Sequence, residues 1–311
     1  MRIVKILLAA LLALAACVAA FPYLAPATAT RLALDLERSR AGLTRKEITL
    51  PSGLRYVYLE GGQGEPLMLL HGFAADKDNF TRISAHLTSR YRVVIPDHIG
   101  FGESSHLPDA DYRAQAQAER LHALAQALGI GKIHLGGSSM GGQIALAYAA
   151  RFPGEVASLW LIGTAGIWSA PKSELARLVL EQGRNPLIAR NEEEFAQTVE
   201  FVMSDPPFVP RPILDVMAQE RIRNVALANH IFRQIAADSL EQRIAGMQVP
   251  ALIVWGEHDR AVHVGTAQVL HRLMPRSRVI VMPGIGHLPM MERPRQSASD
   301  YLAFRASLDK N

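Results

Sequence analysis

A cluster of four glycines around two serines constrains the fold of this chain more than any other feature. The cluster is the stretch GGSSMGG at residues 136–142. Glycine within regular structure costs roughly 0.5–1 kcal/mol relative to alanine, so the cluster indicates a backbone path that larger residues cannot follow. Residues 132–135 are typical of the end of a buried strand, and Gln143–Phe152 of a helix rich in alanine and leucine. The sequence therefore predicts a strand that turns directly into a helix.

This turn matches the pattern Gly-x-Ser-x-Gly. Within the stretch, only Ser139 has a glycine two residues before it and another two residues after it. In this pattern a strained turn lifts the serine oxygen clear of the sheet. A packing turn or a phosphate loop is the alternative, but no lysine follows as in a P-loop, and the dinucleotide-binding pattern fits poorly. The pattern favours Ser139 as a nucleophile.

A serine nucleophile needs two partners, because its hydroxyl is weakly reactive at neutral pH until a histidine, oriented by a carboxylate, acts as base. Asp259 and His287 are the candidates, since each follows a predicted strand, as Ser139 does. Their chain order of serine, acid and histidine is one of the known orders for such triads. Glu257 is the rival acid and His258 a rival base.

Acyl transfer also needs N–H donors for the negative charge that develops on the carbonyl oxygen. The Met140 amide, directly after the nucleophile, is one candidate, and the Phe73 amide, in the loop after the third predicted strand, is the other. Loss of one such donor costs about 10²–10³-fold in turnover. His71 is interpreted as structural and Asp97 as a loop organiser. The predicted chemistry uses no cofactor and no metal.

Short apolar runs alternate with helical stretches from Glu47 onward, which is typical of a mostly parallel sheet flanked by helices. The predicted strands, of which the first two form a hairpin, are Lys46–Leu50, Leu54–Leu59, Pro66–Leu70, Tyr91–Pro96, Lys132–Gly136, Ala157–Gly163, Ala251–Gly256 and Arg278–Met282. The predicted fold class is α/β with an eight-stranded sheet, whose core covers residues 47–163 and 249–311. The alternation stops over residues 164–248, which we interpret as a helical cap over the strand ends.

The N-terminus carries the only long apolar run, and residues 1–30 are predicted as a membrane segment. From Ile6 to Leu24 it is long enough for an uncleaved transmembrane helix. One alternative is a cleaved secretory signal, for which Val18-Ala19-Ala20 offers small residues at the cut. The other is a lipoprotein signal, because Leu14-Ala15-Ala16-Cys17 matches a lipobox. Arg2 and Lys5 before the run favour a cytoplasmic N-terminus, with the rest on the outer, periplasmic side of the inner membrane.

Positive charge is concentrated beside this apolar run. Residues 2–46 carry a net charge of +5, which leaves −1 for the remainder of the chain. Residues 31–46 mix leucines with basic residues, which predicts a juxtamembrane helix against anionic headgroups, or else a solvated linker. The near-neutral body gives no support for nucleic-acid binding. The expected partners are a lipid or acyl-ester substrate and membrane lipids, and a homodimer through the anchor is left open.

Four motifs carry a resemblance to the α/β-hydrolase superfamily over about residues 47–308. They are HGFAADKDNF, GGSSMGGQIALAYAARFP, VPALIVWGEHD and GHLPMMERPR. More narrowly, they resemble membrane-bound monoacylglycerol lipases and bacterial membrane-anchored phospholipases A. The stretch ERSRAGL at residues 37–43 is similar to the juxtamembrane region of the latter. The resemblance implies a membrane-attached serine hydrolase that cleaves acyl esters of glycerol lipids or lysophospholipids.

Two other functions stay open. Carbon–carbon bond hydrolases of the meta-cleavage type share Ser-Met-Gly-Gly, but their diketo acid substrates are soluble, so a membrane anchor would serve little purpose. A non-catalytic, lipid-binding relative would be expected to lack a triad member, whereas all three candidates are present here.

Overall fold

A computed structural model of the chain describes residues 2–308, apart from the side chains of Ala9 and residues 13–16. Met1 and residues 309–311, which belong to the predicted segments 1–30 and 249–311, lie outside the described residues.

Eight strands form one sheet. Their bounds are β1 Leu43–Thr49, β2 Arg55–Gly61, β3 Glu65–Leu70, β4 Tyr91–Pro96, β5 Ile133–Ser138, β6 Val156–Ile162, β7 Ala251–Gly256 and β8 Ser277–Met282. The order across the sheet is β1-β2-β4-β3-β5-β6-β7-β8. Only the pairs that involve β2 are antiparallel, and every other pair is parallel. The predicted eight-stranded, mostly parallel α/β sheet is confirmed.

Helices cover both faces of this sheet. Their bounds are α1 Arg2–Leu24, α2 Pro26–Arg40, α3 Thr81–Ser84, α4 Ala114–Ala127, α5 Met140–Arg151, α6 Glu174–Gln182, α7 Glu192–Val202, α8 Arg211–Arg223, α9 Val225–Ala236, α10 Glu241–Ile244, α11 Thr266–Leu273, α12 Pro289–Glu292 and α13 Pro294–Leu308, with a 3-10 helix at Lys77–Phe80. An apolar cluster lies on each face of the sheet, and β3 contributes to both. Its side chains alternate, so that Leu67 and Leu69 pack in one cluster and Met68 and Leu70 in the other.

The predicted juxtamembrane helix differs from the observed one in its bounds. Helix α2 spans Pro26–Arg40, so residues 43–46 belong to β1 and pair with β2 instead. The helix ends where Gly42 adopts a φ of +67°, a left-handed conformation that is typical of the residue after a helix C-terminus. Gly42 is therefore the stop signal that a prediction based on charge and leucine content overlooks.

Helix α1 is the one helix among the described residues that is long and apolar enough to cross a membrane. Its most apolar window has a mean hydropathy of 2.6, and none of that window is buried against the rest of the chain. Helix α2 begins two residues after α1 ends and is docked on the body. Arg38 makes a bidentate ion pair with Asp78, with nitrogen to oxygen distances of 2.7 and 2.6 Å. This arrangement is consistent with membrane attachment.

The regular structure in residues 164–248 is helical throughout and comprises α6–α10. Backbone hydrogen bonds tie this segment to loops that follow the strands. The Leu175 N–H donates to the Arg260 carbonyl at 3.0 Å, and the His287 N–H donates to the Val202 carbonyl at 2.7 Å. The helices therefore meet the loops at the carboxyl ends of β7 and β8.

Candidate active site

Ser139 lies at the sharp turn between β5 and α5. Its φ of 54° and ψ of −117° are strained for a residue with a side chain. Two backbone contacts hold the turn in place. The Ser139 N–H donates to the Ile162 carbonyl at 2.9 Å, and its own carbonyl accepts from the Ala165 N–H at 3.1 Å. The turn has the geometry of a nucleophile elbow.

The glycines of this turn are required by close backbone packing. A Cβ at Gly141 would lie 2.1 Å from the Leu70 carbonyl oxygen, and a Cβ at Gly137 would lie 2.3 Å from the Gly141 oxygen. Both distances are far below van der Waals contact, so any side chain would push the elbow away from β3. This packing explains the glycine cluster that the sequence shows.

Asp259 and His287 form a buried pair. His287 Nδ1 lies 2.7 Å from Asp259 Oδ2, and the two side chains are 5% and 0% exposed. The other carboxylate oxygen accepts from the N–H groups of Ala261 and Val262, each at 2.9 Å. A carboxylate only accepts, so Nδ1 carries the hydrogen and Nε2 is the ring nitrogen that can take a proton.

The pair lies close to the nucleophile turn. A Cβ at Gly163 would lie 3.0 Å from His287 Nδ1 and 3.2 Å from Asp259 Oδ2. Gly163 directly follows Ile162, whose carbonyl holds the Ser139 N–H. Among residues 2–308, no hydrogen bond joins the Ser139 hydroxyl to the His287 imidazole. Such bonds are often long without substrate and tighten when it binds.

The rival acid and base lie elsewhere. The side chains of Glu257 and His258 are 55% and 60% exposed and lie beside each other, 3.9 Å apart. Glu257 accepts a hydrogen bond from the Gly284 N–H at 3.1 Å. Both residues therefore belong to the surface of the loop after β7.

The loop after β3 passes alongside Ser139. A Cβ at Gly72 would lie 3.3 Å from Ser139 Cβ. In the described part of the chain, the N–H groups of Phe73 and Met140 donate to no other protein atom. Both amides are therefore free to bind an anion beside the serine.

His71 holds this loop. Its Nδ1 bonds to the Gly72 carbonyl at 2.8 Å, and its Nε2 accepts from the His98 N–H at 3.0 Å. Burial lowers the pKa of His71 to about 4, so the ring is neutral near pH 7 and donates through one nitrogen while accepting through the other.

Asp97 organises the neighbouring loop, as the sequence predicts. It is fully buried, and its oxygens accept from the Lys77 N–H, the Lys77 ammonium and the Glu103 N–H at 2.7, 2.8 and 2.8 Å. Sequence reasoning missed Lys77, which is buried as well. The available signal was its position beside Asp76 and Asp78, in a run that alternates charge directly after the Phe73 loop.

Apolar side chains surround the loop that carries Phe73. The Phe73 ring lies edge to face with Phe101 from the core and with Phe232 from α9, at centroid distances of 5.8 and 5.4 Å. A small apolar cluster from the helical segment adjoins them, including Leu187 and Phe201. The surroundings suit a hydrocarbon chain. Among the described residues, no group of three or more histidine, cysteine, aspartate or glutamate side chains is placed to hold a metal ion.

Comparisons with known proteins bear on the fold and the family of this chain. The family model for the alpha/beta hydrolase fold matches residues 65–294. Lipase 3 of Moraxella sp. (strain TA144) is 47% identical over 90% of each chain. The human monoacylglycerol lipase ABHD6 is 31% identical over 84% of each chain. The crystal structure of a membrane phospholipase A, a bacterial virulence factor, superposes with a TM-score of 0.89 at 39% identity and covers 100% of both chains.

Proposed function

Since the chain belongs to the α/β-hydrolase family, we propose that it is a membrane-attached serine hydrolase that cleaves the acyl esters of lipids. The observation that carries the proposal is the buried Asp259–His287 pair beside the strained Ser139 turn. The three residues lie at the same edge of the sheet, where its parallel strands have their carboxyl ends. Ser139 follows β5, Asp259 follows β7 and His287 follows β8.

The reaction proceeds through an acyl-enzyme. Ser139 Oγ attacks the ester carbonyl while His287 Nε2 accepts the hydroxyl proton, and Asp259 stabilises the imidazolium. The Phe73 and Met140 amides hold the oxyanion of the tetrahedral intermediate. His287 then gives its proton to the departing glycerol or lysolipid oxygen. Water, activated by the same imidazole, cleaves the acyl-enzyme and releases the fatty acid.

The substrate class follows from the relatives and from the apolar surroundings of the site. Relatives named as lipase, monoacylglycerol lipase and membrane phospholipase A share hydrolysis of lipid acyl esters. Monoacylglycerols, lysophospholipids and phospholipids are therefore the proposed substrates. The apolar side chains of residues 164–248, proposed as a cap, would receive the acyl chain.

Membrane attachment is assigned to α1. Its length and apolar composition allow it to span a bilayer, and the basic residues Arg2 and Lys5 lie at its start. By the positive-inside rule, these two residues support an N-terminus in the cytoplasm and a hydrolase body on the periplasmic side of the inner membrane. A homodimer through this helix stays a prediction.

Replacement of the nucleophile tests the mechanism. Ser139→Ala should lower ester turnover by a factor on the order of 10⁴ or more and abolish labelling by a fluorophosphonate probe. Ser138→Ala is the matched control, because this neighbouring serine is buried and its hydroxyl has no partner among the described residues. Undiminished turnover by Ser139→Ala would refute the proposal.

A substrate profile tests the class. The purified full chain in detergent should be assayed on monoacylglycerols, lysophospholipids, diacyl phospholipids and a soluble diketo acid. Preference for any of the lipids supports the proposal, whereas preference for the diketo acid would replace it with carbon–carbon hydrolysis.

A further inference from the structure

Three consecutive charged residues follow the loop that carries Phe73, and each contacts a different part of the molecule. Lys77 pairs with Asp97 of the core at 2.8 Å, and Asp78 pairs with Arg38 of α2 at 2.6 Å. Asp76 pairs with Arg221 of α8 at 2.6 Å. The loop is therefore connected directly to a helix of the segment 164–248.

Arg221 is held on several sides. Besides its bond to Asp76, its Nε donates to the Ala74 carbonyl at 3.3 Å and its Nη1 to the Met217 carbonyl at 3.0 Å. Its guanidinium lies over the Phe195 ring at 5.7 Å, and only 12% of the side chain is exposed. A side chain fixed in this way can impose a position on the groups that it binds.

One of those groups is in a strained conformation. Ala74 has a φ of 55° and, with Ser139, is one of the two residues other than glycine with a positive φ in the described chain. Such a conformation costs roughly 1–3 kcal/mol and persists only where its surroundings enforce it. Ala74 directly follows Phe73, so the strain lies one residue from a proposed oxyanion donor.

The ion pair keeps its charge over the working pH range. Burial acts to raise the pKa of Asp76, but the charges of Arg221 and Lys77 hold this pKa far below its ordinary value. Asp76 also caps the 3-10 helix, since its Oδ1 accepts from the Asp78 N–H at 2.9 Å. Arg221 therefore contacts both the strained residue and the fixed end of the loop.

From this geometry we propose that Arg221 is a positioning residue for ester hydrolysis. By holding the Ala74 carbonyl and Asp76, it keeps the Phe73 amide directed at the oxyanion. This inference rests on the proposed function. Its consequence is that the oxyanion site is complete only while α8 is docked, so a helix outside the sheet controls the chemical step.

Steady-state kinetics of Arg221→Met and Arg221→Lys test the proposal, with a short, soluble p-nitrophenyl ester as the substrate. The methionine variant should lose about 10²-fold in kcat, the lower end of the cost of one oxyanion donor, with little change in KM. The lysine variant should lose less, because it can still reach Asp76. Affinity for a trifluoromethyl ketone, which forms an oxyanion with Ser139, should fall in parallel with kcat/KM.

Arg223→Met is the matched control. Arg223 lies on the same helix, is exposed, and makes no ion pair in the described chain. It should retain wild-type kcat, KM and inhibitor affinity. Asp76→Asn provides a second variant if the Arg221 variants do not fold, and it should also lower kcat.

The outcomes separate the two proposals. A folded Arg221→Met with wild-type kcat and inhibitor affinity would overturn the positioning role, as would a raised KM at unchanged kcat. If the Arg221 variants do not fold, a wild-type kcat in Asp76→Asn would overturn it instead. A wild-type protein that hydrolyses no ester would overturn the proposed function itself.

Discussion

The strand-end loops and the helical segment 164–248 both border the candidate site, but they are built differently. Every residue of β5 and of β7 is buried. By contrast, α6 has no buried residue and α8 has only Ala218. The proposed catalytic groups thus follow fully buried strands, whereas each of the helices α6–α9 buries two residues at most.

This contrast separates the proposed triad, held by the sheet, from the helical segment, of which Arg221 is the residue proposed to affect the chemical step. Catalytic groups must be held within a fraction of an ångström, which a fully buried sheet provides. Elements with few buried contacts open at lower free energy, which would suit the proposed cap if it admits substrate. We therefore expect substitutions near the strand ends to affect turnover or folding strongly and surface substitutions in the helical segment to have small effects.

The largest expected effect is on turnover. Asp259→Asn should lower kcat about 10⁴-fold, the size of the corresponding change in a serine protease, because an amide favours the wrong imidazole tautomer. Thermal unfolding should change little, since Oδ1 can still accept from Ala261 and Val262. Glu257→Gln, the exposed rival acid, is the control and should retain full activity. Equal losses in both variants would contradict the assignment of Asp259.

The next effect concerns stability and compares one glycine from each region. Gly141→Ala should cost about 3 kcal/mol or more in the free energy of unfolding, because its Cβ would press on the backbone of β3. In Gly183→Ala, at the end of α6, the new Cβ would have no atom within 4 Å, so only the left-handed φ of +62° disfavours the substitution. It should cost roughly 1–2 kcal/mol. Urea denaturation measures both, and similar costs would remove the contrast.

Acid should destabilise the core through His71. Burial lowers its folded pKa to about 4, whereas an unfolded histidine titrates near 6.5. Between these values the unfolded chain binds a proton that the folded chain does not, so the free energy of unfolding falls as the pH drops from about 6.5 to about 4. The full loss from this residue is about 3 kcal/mol. Burial also lowers the pKa of the adjacent His98 well below its ordinary value, which acts in the same direction.

Urea titrations at several pH values, with wild type and His71→Gln, measure this effect. Glutamine can accept from the His98 N–H but does not titrate, so the slope of stability against pH should become shallower. An unchanged slope would mean that other groups govern acid unfolding.

The smallest effect is expected on the surface of the helical segment. Arg211 pairs with Glu193 and Asp215 at 3.0 and 2.6 Å, but its side chain is 49% exposed. Solvent-exposed pairs contribute little, so Arg211→Gln should leave the midpoint of urea denaturation close to that of the wild type. Urea denaturation would detect a larger loss, which would show that this surface is more tightly coupled than its burial indicates.

Local pattern explains what could be predicted from the sequence. The strands were found because buried parallel strands are short apolar runs, and the Ser139 turn because its glycines are adjacent in the chain. The predicted bounds of the juxtamembrane helix, residues 31–46, are wrong because they rest on leucine and charge content and ignore Gly42, which ends the helix. The partners of Asp76–Asp78 could not be predicted. Arg221, for instance, is 145 positions from Asp76, and only the fold brings them together.

The junction between the first two helices has a consequence for how substrate is found. The junction is one residue long. Ala25 has a φ of −143° and a ψ of 62°, so the chain bends there, and Pro26 begins α2 without an N–H that could bond back to α1. With α1 in a bilayer, so short a junction would keep the body beside the membrane surface, because the Arg38–Asp78 pair holds α2 on the body. Lipid would then reach the site by lateral diffusion in the bilayer.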